Sequence, residues 1–233
     1  MAVATLPTEY ICTVPVNLYK TPERQGLVTQ AAAGRHLRLL PFPPEHSGKD
    51  VSKAHYVQLC EDDYPGWLAA EDLPTLQPAD AAFHPIALTR AEIEPRLPEV
   101  IAFTRRAMAQ PNTYLWGGTV GPNYDCSGLM QTAFVSVGIR LPRDSYQQEA
   151  FTQPIGWNEL QPGDLIFFGP PERTKHVALY LGEGAYIHSS GKDQGRNGIG
   201  IDSLTDLSHP VSRSYHAQLR RPGRVMHSYI SAQ

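Results

Sequence analysis

The order of helical and strand patterns in the second half of the chain constrains its fold most. An apolar helical pattern runs from Leu129 to Val137, and strand patterns follow at 165–168, 176–181 and 185–189. Only Gly182-Glu183-Gly184 joins the last two strands, which is typical of a hairpin. Helices that precede a run of adjacent strands indicate an α+β domain with an antiparallel sheet.

A cysteine stands at the start of this predicted helix. Asp125 precedes Cys126 and can cap the helix by accepting a hydrogen bond from its first turn. Cys126 then lies at the positive end of the helix dipole, which predicts a thiol pKa below the free value of about 8.5. Such a thiolate is a nucleophile when a base stands near it. The alternative is a small buried apolar residue, the usual role of a free cysteine.

Two histidines in the strand patterns are candidates for the base. We expect a hairpin centred on Glu183, in which His188 lies opposite Ala178 and His176 is its diagonal neighbour, about 7–8 Å away. A two-residue loop would instead put the two rings on opposite faces. Cys126, His176 and His188 suit nucleophilic acyl transfer, in which His176 accepts the thiol proton and His188 orients the His176 ring. A zinc site from the same three residues is the alternative, although the short paired ligand spacings of zinc sites are missing.

The first third of the chain carries short strand patterns separated by turns. Strands are predicted at 10–14 and 54–60, and Gly66-Trp67 precedes what resembles the last strand of an SH3-like barrel. Cys12 and Cys60 are predicted to face the barrel core. After a predicted linker, an amphipathic helix is expected to begin near Pro98, because proline is tolerated in a first turn.

Composition excludes several classes of function. Of the 233 residues, 41% are hydrophobic and 18% charged, and the formal net charge is −3, so neither a disordered chain nor a nucleic-acid-binding protein is expected. No run approaches the roughly 20 apolar residues of a membrane span. Three cysteines do not suggest a disulfide framework, and residues 1–15 lack the pattern of a secretory signal. We therefore expect a cytoplasmic monomer without a cofactor or metal ion.

Six motifs, in order along the chain, resemble those of the NlpC/P60 cysteine peptidases. They are Tyr114-Leu115-Trp116-Gly117-Gly118, Asp125-Cys126-Ser127-Gly128-Leu129, Leu141-Pro142-Arg143, Pro162-Gly163-Asp164-Leu165-Ile166-Phe167-Phe168, His176-Val177-Ala178-Leu179-Tyr180-Leu181-Gly182 and Ile187-His188-Ser189-Ser190. The segment before them resembles the bacterial SH3 domain that often accompanies this catalytic domain. The resemblance implies a papain-like fold with a Cys-His-His triad. The expected domains are an SH3-like domain at 1–80, a linker at 81–97 and a peptidase domain at 98–233.

The resemblance also implies roles for residues around the triad. Tyr114 is expected to lend its hydroxyl to the oxyanion hole. Asp125, Ser127 and Ser145 match positions that bind the L-Ala-γ-D-Glu part of a peptidoglycan stem peptide. Tyr64, in the SH3-like segment, is a further expected contact for the free L-Ala amine. The alternatives are that Asp125 only caps the helix and that Tyr64 is a surface aromatic residue in a turn.

The expected activity is cleavage of the bond between γ-D-glutamate and meso-diaminopimelate or lysine. The substrate would be a stem peptide with a free L-Ala amine, released during cell-wall recycling. Three alternatives stay open: an exported hydrolase of intact peptidoglycan, an amidase or acyltransferase on a related papain-like scaffold, and a non-catalytic wall-binding protein. His188 argues against the second, because those relatives typically carry an acid or asparagine there, and the complete triad argues against the third. The tail at 203–233 receives no role.

Overall fold

The computed structural model describes residues 9–44 and 53–232, and the chain divides into two compact units. Residues 1–85 and 230–233 belong to the first unit, and 86–229 form the second. Parts of the predicted SH3-like domain, 1–8 and 45–52, lie outside the described residues, as does Gln233 of the predicted peptidase domain. The later half of the predicted linker belongs to the second unit, because Leu88, Ile93 and Leu97 are buried in its core.

Seven strands in the described part of the first unit form one antiparallel sheet. They are β1 (Tyr10–Cys12), β2 (Val16–Tyr19), β3 (Leu27–Ala31), β4 (His36–Leu39), β5 (Ala54–Leu59), β6 (Pro65–Ala69) and β7 (Leu76–Pro78), in the order β3-β2-β6-β5-β4-β1-β7. In β2 the burial alternates, with Val16 and Leu18 buried, whereas in β6 the four residues from Gly66 to Ala69 are all buried. Cys12 and Cys60 are buried, as predicted.

The end of this sheet differs from the prediction. The segment predicted as the last strand is a strand only as far as Ala69, and a 3₁₀-helix follows at Ala70–Thr75. The chain then forms a further strand, β7, which pairs with β1. The Gly66-Trp67 pair therefore lies in β6, which is the last strand but one in chain order.

The second unit contributes five α-helices to the described part of the chain. They are α1 (Arg90–Ile93), α2 (Leu97–Met108), α3 (Cys126–Val135), α4 (Ser145–Phe151) and α5 (Pro210–His216). Pro98 lies in the first turn of α2, as predicted. Beyond the end of α3, Gly138 has a φ of 81°, a left-handed conformation that favours glycine. None of the helices in the described ranges is long and apolar enough to span a bilayer.

The second unit also contains a six-stranded antiparallel sheet. Its strands are β8 (Gln153–Pro154), β9 (Leu165–Phe168), β10 (His176–Gly182), β11 (Ala185–Ser190), β12 (Gly198–Ser203) and β13 (Leu219–Arg224), in the order β12-β11-β10-β9-β13-β8. Side chains on both faces of the sheet are buried. Leu165 and Phe167 belong to the core cluster that includes α3, whereas Ile166 and Phe168 pack in a cluster with Tyr215 of α5. The unit has the predicted α+β fold, with the sheet between α3 and α5.

Candidate active site

Asp125 caps α3, as predicted. Its Oδ1 accepts a hydrogen bond from the Gly128 N–H at 2.7 Å, and its Oδ2 accepts one from the Gly117 N–H at 2.8 Å. Cys126 is therefore the first residue of the helix. The helix start packs closely against the preceding loop, because a Cβ at position 128 would lie 2.0 Å from the carbonyl oxygen of Gly118. These contacts fix the position of the cysteine backbone.

A buried arginine compensates the charge of the capping carboxylate. Arg143 donates from Nη1 and Nη2 to Asp125 Oδ1 and Oδ2 at 3.1 and 2.6 Å. Arg143 Nη1 also donates to Ser127 Oγ at 3.0 Å, and Ser127 Oγ donates to Asp125 Oδ1 at 3.2 Å. Asp125 and Ser127 are thus committed to a buried cluster with Arg143. Their part in binding the substrate stays a prediction. The sequence analysis identified the Leu141-Pro142-Arg143 motif but predicted no role for Arg143.

The predicted low pKa of the Cys126 thiol is wrong for this structure. Burial raises the pKa of the thiol to about 12, and the Asp125 carboxylate adds to the rise. Backbone N–H groups of Ser127 and Val177 hydrogen-bond the sulfur and favour the thiolate, but their effect is smaller than that of burial. The prediction from the helix dipole failed because it did not include the burial of the thiol: only 6% of Cys126 is exposed. The thiol is therefore neutral at neutral pH.

The hairpin of β10 and β11 has the predicted register. Tyr180 pairs with Tyr186, a pairing centred on Glu183. Nearer the turn, Gly182 pairs with Ala185, which leaves a two-residue loop. A bulge between Tyr180 and Gly182 absorbs the extra residue, so that the loop does not invert the faces. The two strand histidines consequently project to the same face, as predicted.

The two histidines are in direct contact, and His188 also contacts a carboxylate. His176 Nε2 lies 2.7 Å from His188 Nδ1, and His188 Nε2 lies 2.8 Å from Asp202 Oδ2 in β12. The Val177 N–H at the Cys126 sulfur brings the thiol to the first residues of β10, where His176 is the first residue. The sequence analysis gave no role to Asp202. A predicted strand paired antiparallel with β11 would have placed Asp202 near His188.

Burial keeps both imidazoles neutral. It lowers the pKa of His176 well below its usual range, and the charge of His188 acts in the same direction. Burial also lowers the pKa of His188, against the hydrogen bond and charge of Asp202, which favour the imidazolium. Tyr215 of α5 lies against His176 with ring centroids 4.4 Å apart, and its hydroxyl is 2.7 Å from Ser190 Oγ. The site therefore holds a neutral thiol and two neutral imidazoles.

Tyr114 is half-buried and borders a cavity of about 440 Å³. The other residues lining this cavity are Thr113, Gly191, Lys192, Asp193 and Asn197. Burial raises the pKa of the Tyr114 hydroxyl, and the nearby Cys126 and Asp125 charges add to the rise. The hydroxyl thus keeps its proton and can donate a hydrogen bond. Its part in an oxyanion hole stays a prediction.

Two further predicted contacts lie in different units. Ser145 is buried at the first position of α4, behind Asp144, whose N–H donates to Gln147 Oε1 at 2.9 Å. Tyr64 lies in the first unit, in the turn between β5 and β6, where its carbonyl accepts from the Leu59 N–H at 2.9 Å. The substrate-binding roles of Ser145 and Tyr64 stay predictions.

The zinc alternative finds no geometric support. No group of three or more His, Cys, Asp or Glu side chains within residues 9–44 and 53–232 is arranged to hold a metal ion. Both ring nitrogens of His188 already face protein partners, His176 and Asp202. The roles of Cys126 as nucleophile and of His176 as base stay predictions.

Comparison with known proteins relates each unit to a family. Residues 111–220 match the NlpC/P60 family, and residues 18–73 match the bacterial dipeptidyl-peptidase SH3 domain. The gamma-D-glutamyl-L-lysine dipeptidyl-peptidase of Bacillus cereus is 44% identical over 79 residues, which cover 33% of this chain and 24% of that protein. The probable endopeptidase p60 of Listeria seeligeri is 38% identical over 91 residues, 39% of this chain and 16% of that protein. The matches thus span about a quarter of these relatives or less.

One solved structure aligns with most of this chain. The crystal structure of an NlpC/P60 family protein from Bacillus cereus aligns with a TM-score of 0.48 and 24% identity. The alignment covers 94% of this chain and 64% of that one.

Proposed function

The chain carries an NlpC/P60 domain and a bacterial dipeptidyl-peptidase SH3 domain, and on that premise we propose that it is a cysteine peptidase of peptidoglycan stem peptides. The bond cleaved is the one between γ-D-glutamate and the diamino acid, in peptides with a free L-Ala amine. The name of the Bacillus cereus relative, a gamma-D-glutamyl-L-lysine dipeptidyl-peptidase, supports this bond.

The observation that carries the proposal is the direct contact between His176 and His188 in the strand pair whose Val177 N–H hydrogen-bonds the Cys126 sulfur. His176 uses Nε2 to contact His188, which leaves Nδ1 as the atom that takes the thiol proton. Since burial favours the neutral thiol and the neutral imidazole, the proton moves to His176 as the sulfur attacks. The neutral pair thus becomes an ion pair only during the reaction.

The proposed reaction has two steps. The Cys126 sulfur attacks the γ-carbonyl of D-glutamate, and the resulting oxyanion accepts hydrogen bonds from the Tyr114 hydroxyl and the Cys126 backbone N–H. The C–N bond breaks as His176 returns the proton to the amine of the diamino acid, leaving an L-Ala-γ-D-Glu thioester on Cys126. Water then attacks the thioester, His176 takes its proton, and the thiol and the dipeptide are released.

Mass spectrometry of products tests the proposal. The substrates are L-Ala-γ-D-Glu-meso-diaminopimelate, its lysine counterpart and the N-acetylated form of each. We expect release of L-Ala-γ-D-Glu and the free diamino acid from at least one peptide with a free amine, and no cleavage of the acetylated forms. Cys126→Ala, with its fold checked by circular dichroism, is expected to be inactive. Absence of cleavage by the wild type would overturn the proposed bond, and equal cleavage of acetylated peptides would overturn the amine requirement.

We also propose that the enzyme acts on released peptides in the cytoplasm, as part of cell-wall recycling. A requirement for a free amine, as proposed above, would restrict the enzyme to released peptides, because the L-Ala amine of intact peptidoglycan is acylated by the glycan-linked lactyl group. The exported-hydrolase alternative predicts the same cut in intact wall. Incubation with purified sacculi separates the two: soluble fragments released from sacculi would favour the exported hydrolase, and cleavage confined to free peptides would favour recycling.

A further inference from the structure

Asp202 lies beneath His188 and is almost completely enclosed. It is 5% exposed. Its Oδ2 lies 2.8 Å from His188 Nε2 and accepts a hydrogen bond from Arg196 Nη2 at 2.7 Å. Its Oδ1 accepts one from Ser212 Oγ at 3.0 Å and lies 3.5 Å from His209 Nδ1. The carboxylate therefore ends the line of contacts that runs from His176 through His188.

We propose that Asp202 is a positioning residue that sets the tautomers of both active-site histidines and so directs the basic nitrogen of His176 toward Cys126. An ionised carboxylate only accepts hydrogen bonds, so His188 must carry its proton on Nε2. Neutral His188 then has a lone pair on Nδ1, which accepts from His176 Nε2–H. The lone pair of neutral His176 is consequently on Nδ1.

The opposite tautomer would block the reaction. If His188 carried its proton on Nδ1, it would donate to His176 Nε2, and the His176 proton would lie on Nδ1. That nitrogen could not accept the Cys126 proton. An imidazole alone does not choose between the two arrangements, whereas an anion at His188 Nε2 does.

The surroundings keep Asp202 ionised and fixed. Burial opposes ionisation, but the hydrogen bonds from His188 and Ser212 and the charge of Arg196 hold the pKa of Asp202 below its usual value. Arg196 reaches the carboxylate across Gly200, where a Cβ would lie 2.1 Å from Arg196 Nη1. Ser212, from α5, fixes the second oxygen. The same anion also favours the imidazolium that forms during attack.

Nitrogen-15 NMR of histidine-labelled, substrate-free protein tests the tautomers. Long-range spectra distinguish Nε2–H from Nδ1–H rings, and the variants His176→Gln and His188→Gln assign the signals. We expect both rings as Nε2–H tautomers in the wild type, and a mixed or reversed pattern in Asp202→Asn. An Nδ1–H tautomer for His188 in the wild type would overturn the proposal, and this measurement needs no variant of Asp202 to fold.

Kinetics supply the second test, with Ser212→Ala as the matched control because Ser212 contacts the same carboxylate. Asp202→Asn is expected to lower kcat about 10²–10⁴-fold with little change in KM. Ser212→Ala is expected to lower it less than about tenfold. Equal losses in the two variants, or wild-type activity in Asp202→Asn, would overturn the positioning role. Thermal unfolding of each variant separates these effects from loss of fold.

A pH profile distinguishes positioning from simple packing. The acid limb of kcat/KM reports the histidine pair, which must be unprotonated to accept the thiol proton. Asp202→Asn is expected to move this limb to lower pH, because the imidazolium loses its anion; an unmoved limb would contradict the proposal. The titratable or charged groups that face the pair are Cys126, Tyr186, Arg196, Asp202 and Tyr215, with His209 next to Asp202.

The kinetic tests rest on the proposed peptidase function, whereas the NMR test does not. If the wild type cleaves none of the stem peptides but shows both Nε2–H tautomers, the proposed function fails and the role of Asp202 in setting the tautomers stands. If it cleaves them but His188 is an Nδ1–H tautomer, the reverse holds.

Discussion

Replacing Arg143 with methionine is expected to destabilise the second unit by about 3–5 kcal/mol, because it leaves a buried carboxylate without its counter-charge. The side chains of Arg143 and Asp125 are only 1% and 9% exposed. The substitution removes two hydrogen bonds to Asp125 and one to Ser127. The backbone N–H groups of Gly117 and Gly128 still reach Asp125, which places the expected value nearer the lower end of that range.

The double variant Asp125→Asn/Arg143→Met separates lost charge compensation from lost packing. Asparagine is as good an N-cap as aspartate, so the helix start keeps its cap without a buried charge. We therefore expect the double variant to be more stable than Arg143→Met alone by about 1–3 kcal/mol.

Hydrogen exchange of the α3 amides, followed by mass spectrometry, measures the free energy of opening for the second unit without interference from the first. A loss below about 1 kcal/mol in Arg143→Met would refute the argument that this ion pair holds the start of α3. A double variant that is less stable than both Arg143→Met and Asp125→Asn would also refute it.

Three further predictions concern the site itself. Gly128→Ala is expected to destabilise the protein by about 3 kcal/mol or more, because its Cβ would meet the Gly118 carbonyl oxygen at 2.0 Å; an unchanged Tm would contradict that contact. Tyr114→Phe is expected to lower kcat about 10²–10³-fold with an unchanged KM, and unchanged turnover would remove Tyr114 from the oxyanion hole. Burial raises the pKa of the Cys126 thiol to about 12, so alkylation by iodoacetamide, followed by peptide mapping, should keep rising with pH. A rate that levels off near neutral pH would show a thiolate already formed.

Local signals in the sequence were sufficient to predict the start of α3 and the hairpin face. Asp125 caps its own helix through the Gly128 N–H, so the cap that places Cys126 at the helix start lies within one turn of it. The face shared by the histidines depends on turn length, and the predicted register was correct because a bulge after Tyr180 compensates for the two-residue loop.

Properties that depend on distant elements were beyond reach of the sequence patterns. The thiol pKa is set by how deeply the surrounding elements bury Cys126, which no local motif records. Arg143 and Asp202 reach the site from segments 18 residues from Asp125 and 14 residues from His188. The predicted linker overlapped the second unit because some of its apolar residues, such as Ile93, are buried in the core of that unit.

Trapping of the acyl-enzyme tests the central claim most directly. Wild-type protein and Cys126→Ala are mixed briefly with whichever stem peptide is cleaved, quenched in acid and digested for mass spectrometry. The account predicts an added L-Ala-γ-D-Glu acyl group on the peptide that contains Cys126 in the wild type, and no such adduct in the variant. Turnover that persists in Cys126→Ala, or an adduct on any other residue, would contradict it.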